Sequence, residues 1–251
     1  MSEEVKELIE QAIEDKIFPG CSLGIISRTG TEIQNFGKFT YEEGSREVDE
    51  NTIYDVASIT KMVSTGFLCM QALRDRRISL EDKITKYFPQ FQSETATIKH
   101  LLSYTLDYQN FTDEEKKKLI ADLPVEEFMQ GVFKLRLESE PGTVYKYSDA
   151  TADIQGMLLE KVYADNLNNL FKKYIVPKYN LENTTLDPKD LNAEDIAPSQ
   201  VLDGKDLQGL VNDPKARKKY LAGYYSGCAG LFSNTSDVLK VCKHMLENNN
   251  E

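Results

Sequence analysis

Ser58 and Lys61 are the two residues in this chain whose types and spacing could do covalent chemistry. They sit in Tyr54-Asp55-Val56-Ala57-Ser58-Ile59-Thr60-Lys61-Met62-Val63-Ser64-Thr65, where a short β-branched and aromatic run gives way to helical apolar spacing. The Ser58 hydroxyl is therefore expected at or near a helix N-terminus, with Lys61 one turn further on the same face. A serine hydroxyl is a weak nucleophile until a neighbouring base takes its proton, and a lysine serves if burial or nearby positive charge lowers its pKa. The helix N-terminus would help to hold the developing oxyanion. Taken alone, Ser-x-x-Lys is a common spacing, with about one match by chance in a chain of this length. It fits a serine N-cap followed by a solvent-facing lysine equally well.

The elements that must position this pair come from a chain of 251 residues, long enough for a sizeable core as one large domain or two intertwined subdomains. The formal net charge of −11 argues against nucleic acid and anionic membrane surfaces as partners, and no stretch has the apolar length of a membrane span. Met1-Ser2-Glu3-Glu4 has the wrong sign for a secretory leader, which points to the cytoplasm for the sequence as written; a processed N-terminus would leave an extracytoplasmic place open. Cys21, Cys69, Cys228 and Cys242 form no C-x-x-C pair and sit mostly in apolar surroundings. His100 and His244 lie far apart without neighbouring ligands, so no metal site and no cofactor is expected.

In chain order, Val5, Leu8, Ile9, Ala12 and Ile13 share a helical stripe ending near Ile17 and Pro19-Gly20. Residues 21–27 and 31–36 read as two strands joined by a hairpin at Arg28-Thr29-Gly30. A buried helix runs from Ser58 to about Arg74, a short one is expected over residues 97–103, and Thr112-Asp113-Glu114-Glu115 is a capping box opening another. Val125, Phe128, Met129, Val132 and Phe133 face the core on the next. Glu140-Pro141-Gly142 turns the chain toward Tyr147, and residues 148–162 are again helical. Residues 181–216 carry scattered Asp, Asn, Pro and Gly and read as loop, and residues 233–237 precede a closing helix through Val238, Leu239, Cys242 and Met245.

At Tyr147-Ser148-Asp149 these pieces resemble a known family: the serine β-lactamase-related proteins, which include class C β-lactamases, DD-peptidases and related esterases. Ala57-Ser58-Ile59-Thr60-Lys61 is similar to the family's nucleophile helix, and Ile78-Ser79-Leu80-Glu81-Asp82-Lys83-Ile84 and Thr97-Ile98-Lys99-His100-Leu101-Leu102-Ser103 to its next two blocks. Pro141-Gly142 before Tyr147-Ser148-Asp149, then Ile196-Ala197-Pro198 and Ala229-Gly230-Leu231-Phe232-Ser233, continue the series in the family's order.

The resemblance implies an α/β (α+β) β-lactamase/transpeptidase-like fold: a single domain with the N-terminal helix and first antiparallel strands in 1–56 and a mainly helical region in 57–251. It also implies that Ser58 attacks an acyl carbonyl, that Lys61 is its base, and that Tyr147 shuttles a proton. A phenol is a poor base at neutral pH, and a close Lys61 ammonium would be the agent that makes it a better one. Which of the two deprotonates Ser58 stays open. Ser148 and Asp149 would face the substrate, and Ser148 equally suits the N-cap of the following helix. The substrate would be a D-alanyl peptide, a β-lactam or a small ester.

There are departures from the family pattern. Asp149 stands where many members carry Asn, which replaces a neutral amide with a carboxylate that cannot donate when ionised. Tyr104-Thr105-Leu106-Asp107 occupies the "H-T-S-G" turn without its glycine, and Cys228, read as packing, stands where relatives tend to have His. The third motif, Lys/His-Thr/Ser-Gly on a strand after "A-G-L-F-S", is missing before Glu251, and Arg28-Thr29-Gly30 matches it only superficially. In relatives that strand supplies the second oxyanion-hole amide, a donor worth about 2.7–4 kcal/mol. Its absence would leave a sheet edge for a C-terminal segment or a partner strand to complete. Two classes follow: a serine acyl-hydrolase, restored by an extension carrying that motif, or a non-catalytic relative that binds a peptide or partner.

Overall fold

The computed structural model describes residues 2–27 and 29–247. The chain forms two compact units, one comprising Met1–Val56, Val176–Asn212 and Leu231–Glu251, the other Ala57–Ile175 and Asp213–Gly230. The mixture of helices with antiparallel strands is the fold class expected from the sequence.

In the first unit the apolar stripe near the N-terminus forms a helix over Glu3–Glu14 that packs on the second strand of the hairpin. Leu8 of that stripe is left 65% exposed, because the helix leans on its Val5, Ile9, Ala12 and Ile13 side. The strands are Gly20–Ser27 and Gly30–Gly37, paired antiparallel from Gly20 opposite Gly37 to Ser27 opposite Gly30. Of the expected turn Arg28-Thr29-Gly30, Arg28 lies outside the described residues. A closing helix, Thr235–Glu247, crosses the first strand at Gly24, where a Cβ would come within 2.6 Å of the Leu239 side chain. This helix begins earlier than its apolar spacing predicts, because Asp237 acts inside its first turn. The buried Asp237 carboxylate accepts hydrogen bonds from the Glu182 and Asn183 amides at 2.9 and 2.7 Å, and from the Thr184 hydroxyl at 2.8 Å.

The second unit is helical. Its core is built from side chains that meet no solvent, among them Leu68, Ile98, Leu101, Phe133, Ile154 and Phe171. The capping box is present in both directions: Thr112 accepts from the Glu115 amide, and the Glu115 carboxylate takes the Thr112 amide at 2.7 Å, opening the helix Asp113–Asp122. Val125–Gly131 and a 3-10 turn at Val132–Lys134 follow, and then the long helix Asp149–Tyr163. Two features differ from the sequence reading. The segment after Ser58 winds as a π-helix over Lys61–Gly66 before becoming α-helical over Phe67–Arg74, a widened turn of the kind that concentrates at functional sites. The stretch read as loop to residue 216 holds the start of a helix, Pro214–Leu221, whose N-cap Asp213 accepts from the Lys215 and Ala216 amides.

The backbone around 226–228 is wedged between helices of this unit. A Cβ on Gly227 would lie 2.0 Å from the Ala152 carbonyl oxygen, and the buried Thr65 hydroxyl donates to the Gly227 carbonyl at 2.7 Å. Gly227 is thus the residue that allows this approach, and it fixes where the carbonyl of Cys228 points.

Candidate active site

Lys61 is buried, 7% exposed, and its ammonium is surrounded by acceptors. Nζ donates to Ser58 Oγ at 2.9 Å and to the Cys228 carbonyl at 2.9 Å, and it lies 2.8 Å from Asp149 Oδ1. The nucleophile pair is therefore in contact. Ser58 ends the turn that opens the helix, with the Lys61 amide donating to its carbonyl at 3.1 Å. The preceding residue, Ala57, is held at φ 46°, a left-handed conformation that costs a residue with a Cβ about 1–3 kcal/mol and persists where the surroundings over-determine it.

The charge on Lys61 is set by opposing forces. Burial favours the neutral amine, but the hydrogen bonds that Lys61 donates to Asp149 and Tyr147 outweigh it and hold the ammonium above its ordinary pKa. The condition for lysine to act as the base, a lowered pKa, is the reverse of what its surroundings impose. Asp149 mirrors this: burial pushes its carboxyl up, while Lys215 and then Lys61 hold it below the usual carboxylate range.

Tyr147 is placed by a set of backbone and side-chain ties. The Lys146 amide donates to the Tyr104 carbonyl at 2.8 Å and the Gly142 amide to the Thr105 carbonyl at 2.9 Å. Asp107 then anchors the same loop, accepting from Lys146 Nζ at 2.8 Å and from the Ser139 hydroxyl at 2.6 Å. Gly142, at φ 93°, packs so closely on His100 that a Cβ would meet the imidazole Nε2 at 3.1 Å. The Tyr147 ring stacks on Tyr104, centroids 5.9 Å apart and planes 11° from parallel, and lies 4.9 Å from Lys61 Nζ. Ser148 occupies the N-cap position of Asp149–Tyr163, but its side chain makes no capping hydrogen bond.

Of the residues that sequence reasoning named, Ser58, Asp149 and the Tyr147 ring meet at Lys61 Nζ, while Ser148 lies between Tyr147 and Asp149 in the chain and lines a neighbouring cavity whose walls do not include Ser58 or Lys61. Sequence reasoning did not name Lys215, which reaches Asp149 Oδ2 from the helix Pro214–Leu221, nor Asp107 and Lys146 as anchors of the tyrosine loop. A signal for the first was present: a carboxylate where an amide is usual needs a compensating cation. Tyr147, Ser148, Asp149 and Lys215 line one side of that cavity, of about 480 Å³, whose other walls include Phe111, Leu119, Phe128 and Val132. Among the described residues, no group of three His, Cys, Asp or Glu side chains is arranged to hold a metal ion, and all four cysteines are free. No helix among them is long and apolar enough to cross a membrane.

An exposed serine in contact with a buried lysine and beside a tyrosine, in a chain of helices with antiparallel strands, is the arrangement of the β-lactamase and penicillin-binding hydrolases. The chain belongs to the beta-lactamase family, whose sequence profile matches residues 5–251. Among curated relatives, a protein of Escherichia coli (strain K12) described as "Putative D-alanyl-D-alanine carboxypeptidase" is 27% identical over 221 residues, 78% of this chain and 51% of the relative. Among solved structures, the octameric penicillin-binding protein homologue from Pyrococcus abyssi superposes with a TM-score of 0.78 at 22% identity, covering 99% of this chain and 56% of that one. EstCE1, a hydrolase with promiscuous acyltransferase activity, superposes with a TM-score of 0.75 at 22% identity, covering 98% and 72%. The chain spans about half the length of the curated relatives it matches.

Proposed function

We propose that this chain carries the acylating site of a serine acyl-hydrolase that releases D-alanine from D-alanyl peptides through an acyl-enzyme on Ser58. The observation that carries the reading is the 2.9 Å contact from the buried Lys61 Nζ to Oγ of Ser58, a residue open to solvent. The substrate class is drawn from the description of the curated relatives, with β-lactams and small esters as neighbouring chemistries.

In this reading Ser58 Oγ attacks the acyl carbonyl carbon and forms the ester bond. As an ammonium in contact with Ser58 Oγ, the Cys228 carbonyl and Asp149, Lys61 has no lone pair with which to take the hydroxyl proton, so the Tyr147 oxygen accepts it while its own phenol proton moves on toward the leaving nitrogen, and Lys61 supplies positive charge beside them. That phenol proton reaches the departing amine as the carbonyl–nitrogen bond breaks. Water then releases the acyl group by the same relay in reverse. Ser148 and Asp149 face the cavity, whose apolar walls suit a hydrophobic portion of the acyl group.

Turnover assays on a peptide ending in D-alanyl-D-alanine, a p-nitrophenyl ester and a chromogenic cephalosporin, each with Ser58→Ala as control, test this. The expected result is D-alanine release that the substitution abolishes. Turnover that survives Ser58→Ala, or none with any of the three, would contradict it.

A further inference from the structure

We infer that Lys215 is a positioning residue of the nucleophile site: its ammonium takes one oxygen of Asp149, so that the carboxylate can pair with Lys61 without drawing Lys61 away from Ser58. The inference rests on the acyl-enzyme reading above and goes beyond it by adding a residue outside the Ser58, Lys61 and Tyr147 set.

The geometry divides the carboxylate. Asp149 Oδ1 lies 2.8 Å from Lys61 Nζ, while Oδ2 is in contact with Lys215 Nζ. All three side chains are substantially shielded, with the Lys61, Lys215 and Asp149 side chains 6%, 27% and 31% exposed. Shielded charges must be matched locally, because water does little of the work. Asp149 and Lys61 alone would balance each other; Lys215 adds a second cation on the far carboxylate oxygen, itself partly offset by Asp213 at 4.0 Å. Without Lys215, both carboxylate oxygens would be free to turn on Lys61, and the donor that reaches Ser58 Oγ would be the contact to give.

Lys215 itself sits where local rules disfavour it. It is the second residue of the helix Pro214–Leu221, so its positive charge lies at the positive end of the helix dipole. Asp213, the N-cap, is 4.0 Å from Lys215 Nζ and already accepts two backbone amides, so it offsets this only in part. A residue that breaks a local preference and makes one close ion pair is retained for that pair. The next carboxylate along the long helix, Asp153, is engaged by Lys219 and Ser226, which leaves Asp149 as the partner Lys215 serves.

The test is the rate of Ser58 labelling by a fluorophosphonate, measured on the whole chain as wild type, Lys215→Met, Lys215→Arg, Asp149→Asn and the Asp149→Asn/Lys215→Met double variant, each shown to be folded by circular dichroism. Lys215→Met is expected to label about 10- to 100-fold more slowly, the size of effect that misplacing a reacting group by an ångström produces. Lys215→Arg should recover the rate to within about threefold of wild type, because it restores the charge on the same carboxylate oxygen. In the Asp149→Asn background, Lys215→Met should cost nothing further, since the charge it balances is gone. A wild-type rate in Lys215→Met, or an equal loss in both backgrounds, overturns the inference while the nucleophile reading stands. No labelling of the wild type overturns both.

Discussion

Asp149 Oδ1 lies 2.8 Å from Lys61 Nζ, and the same nitrogen donates to Ser58 Oγ at 2.9 Å. One carboxylate therefore bears on the protonation of the lysine that touches the nucleophile. Under the proposed acyl-enzyme reading, that relationship gives the lysine a charge role and the proton-accepting role to Tyr147.

Replacing Lys61 by Ala removes the donor to Ser58 and to the Cys228 carbonyl together. Acylation of Ser58 is expected to fall by roughly 10²–10³, the range seen when one electrostatic donor at a reacting centre is lost. Stopped-flow or discontinuous labelling kinetics against wild type check this, and a loss below about fivefold would remove Lys61 from the chemistry.

The ion cluster also predicts a pH window for stability. A carboxyl held below its ordinary value, as Asp149 is, contributes stability that is complete above pH about 4 and is lost as the pH falls through its folded-state value. Lys61 and Lys215 are both held above the ordinary lysine value, so their contributions are complete below pH about 10.5 and are lost as the pH rises through the folded-state values. Asp149→Asn is therefore expected to be about 2 kcal/mol less stable than wild type across the neutral range, with the gap closing below pH about 4. Denaturant unfolding at a series of pH values measures it. A gap that stays constant down to pH 3 would show that Asp149 is not the titrating partner.

Gly227→Ala should be among the most damaging single-methyl substitutions in the chain, because its Cβ would fall 2.0 Å from the Ala152 carbonyl oxygen, a backbone atom held within a helix. A loss of about 2–3 kcal/mol is expected from forced displacement of packed backbone. The displacement should also carry the Cys228 carbonyl off Lys61 and slow Ser58 labelling in protein that remains folded. Thermal unfolding and labelling measured on the same sample decide both halves.

Much of the second unit was legible in the sequence, for identifiable reasons. The Thr112 and Glu115 box carries its own geometry in four residues, and Pro141-Gly142 marks a turn that His100 leaves no room to fill. Ser58 and Lys61 were visible because spacing on one helix face survives small changes of helix type. The π-turn over Lys61–Gly66 was not visible, since apolar periodicity presumes 3.6 residues per turn and the widened turn depends on tertiary contacts such as that of Thr65 with Gly227. Asp213-Pro214 was counted as loop chemistry when it was a cap followed by proline in the first turn of a helix. That misreading hid Lys215, whose partner Asp149 is distant in sequence and is supplied only by the fold.

A second buried pair is Lys219 with Asp153, and Asp153 lines the same cavity as Asp149. The two side chains are 4% and 9% exposed, in contact at 2.5 Å, and Ser226 donates to the other Asp153 oxygen at 2.7 Å. Lys219→Met alone is expected to cost about 3–5 kcal/mol by leaving the carboxylate buried and unmatched, and Lys219→Met/Asp153→Leu should recover much of that. A double variant as unstable as the single would mean that packing, not the orphaned charge, sets the cost.

The central claim is that Ser58 is an activated nucleophile, and intact-protein mass spectrometry after incubation with a fluorophosphonate and, separately, a fluorescent penicillin tests it most directly. The account predicts a single stoichiometric adduct that maps to Ser58 and is missing from Ser58→Ala. Folded protein that forms no adduct with either reagent, or one that persists in Ser58→Ala, would contradict it.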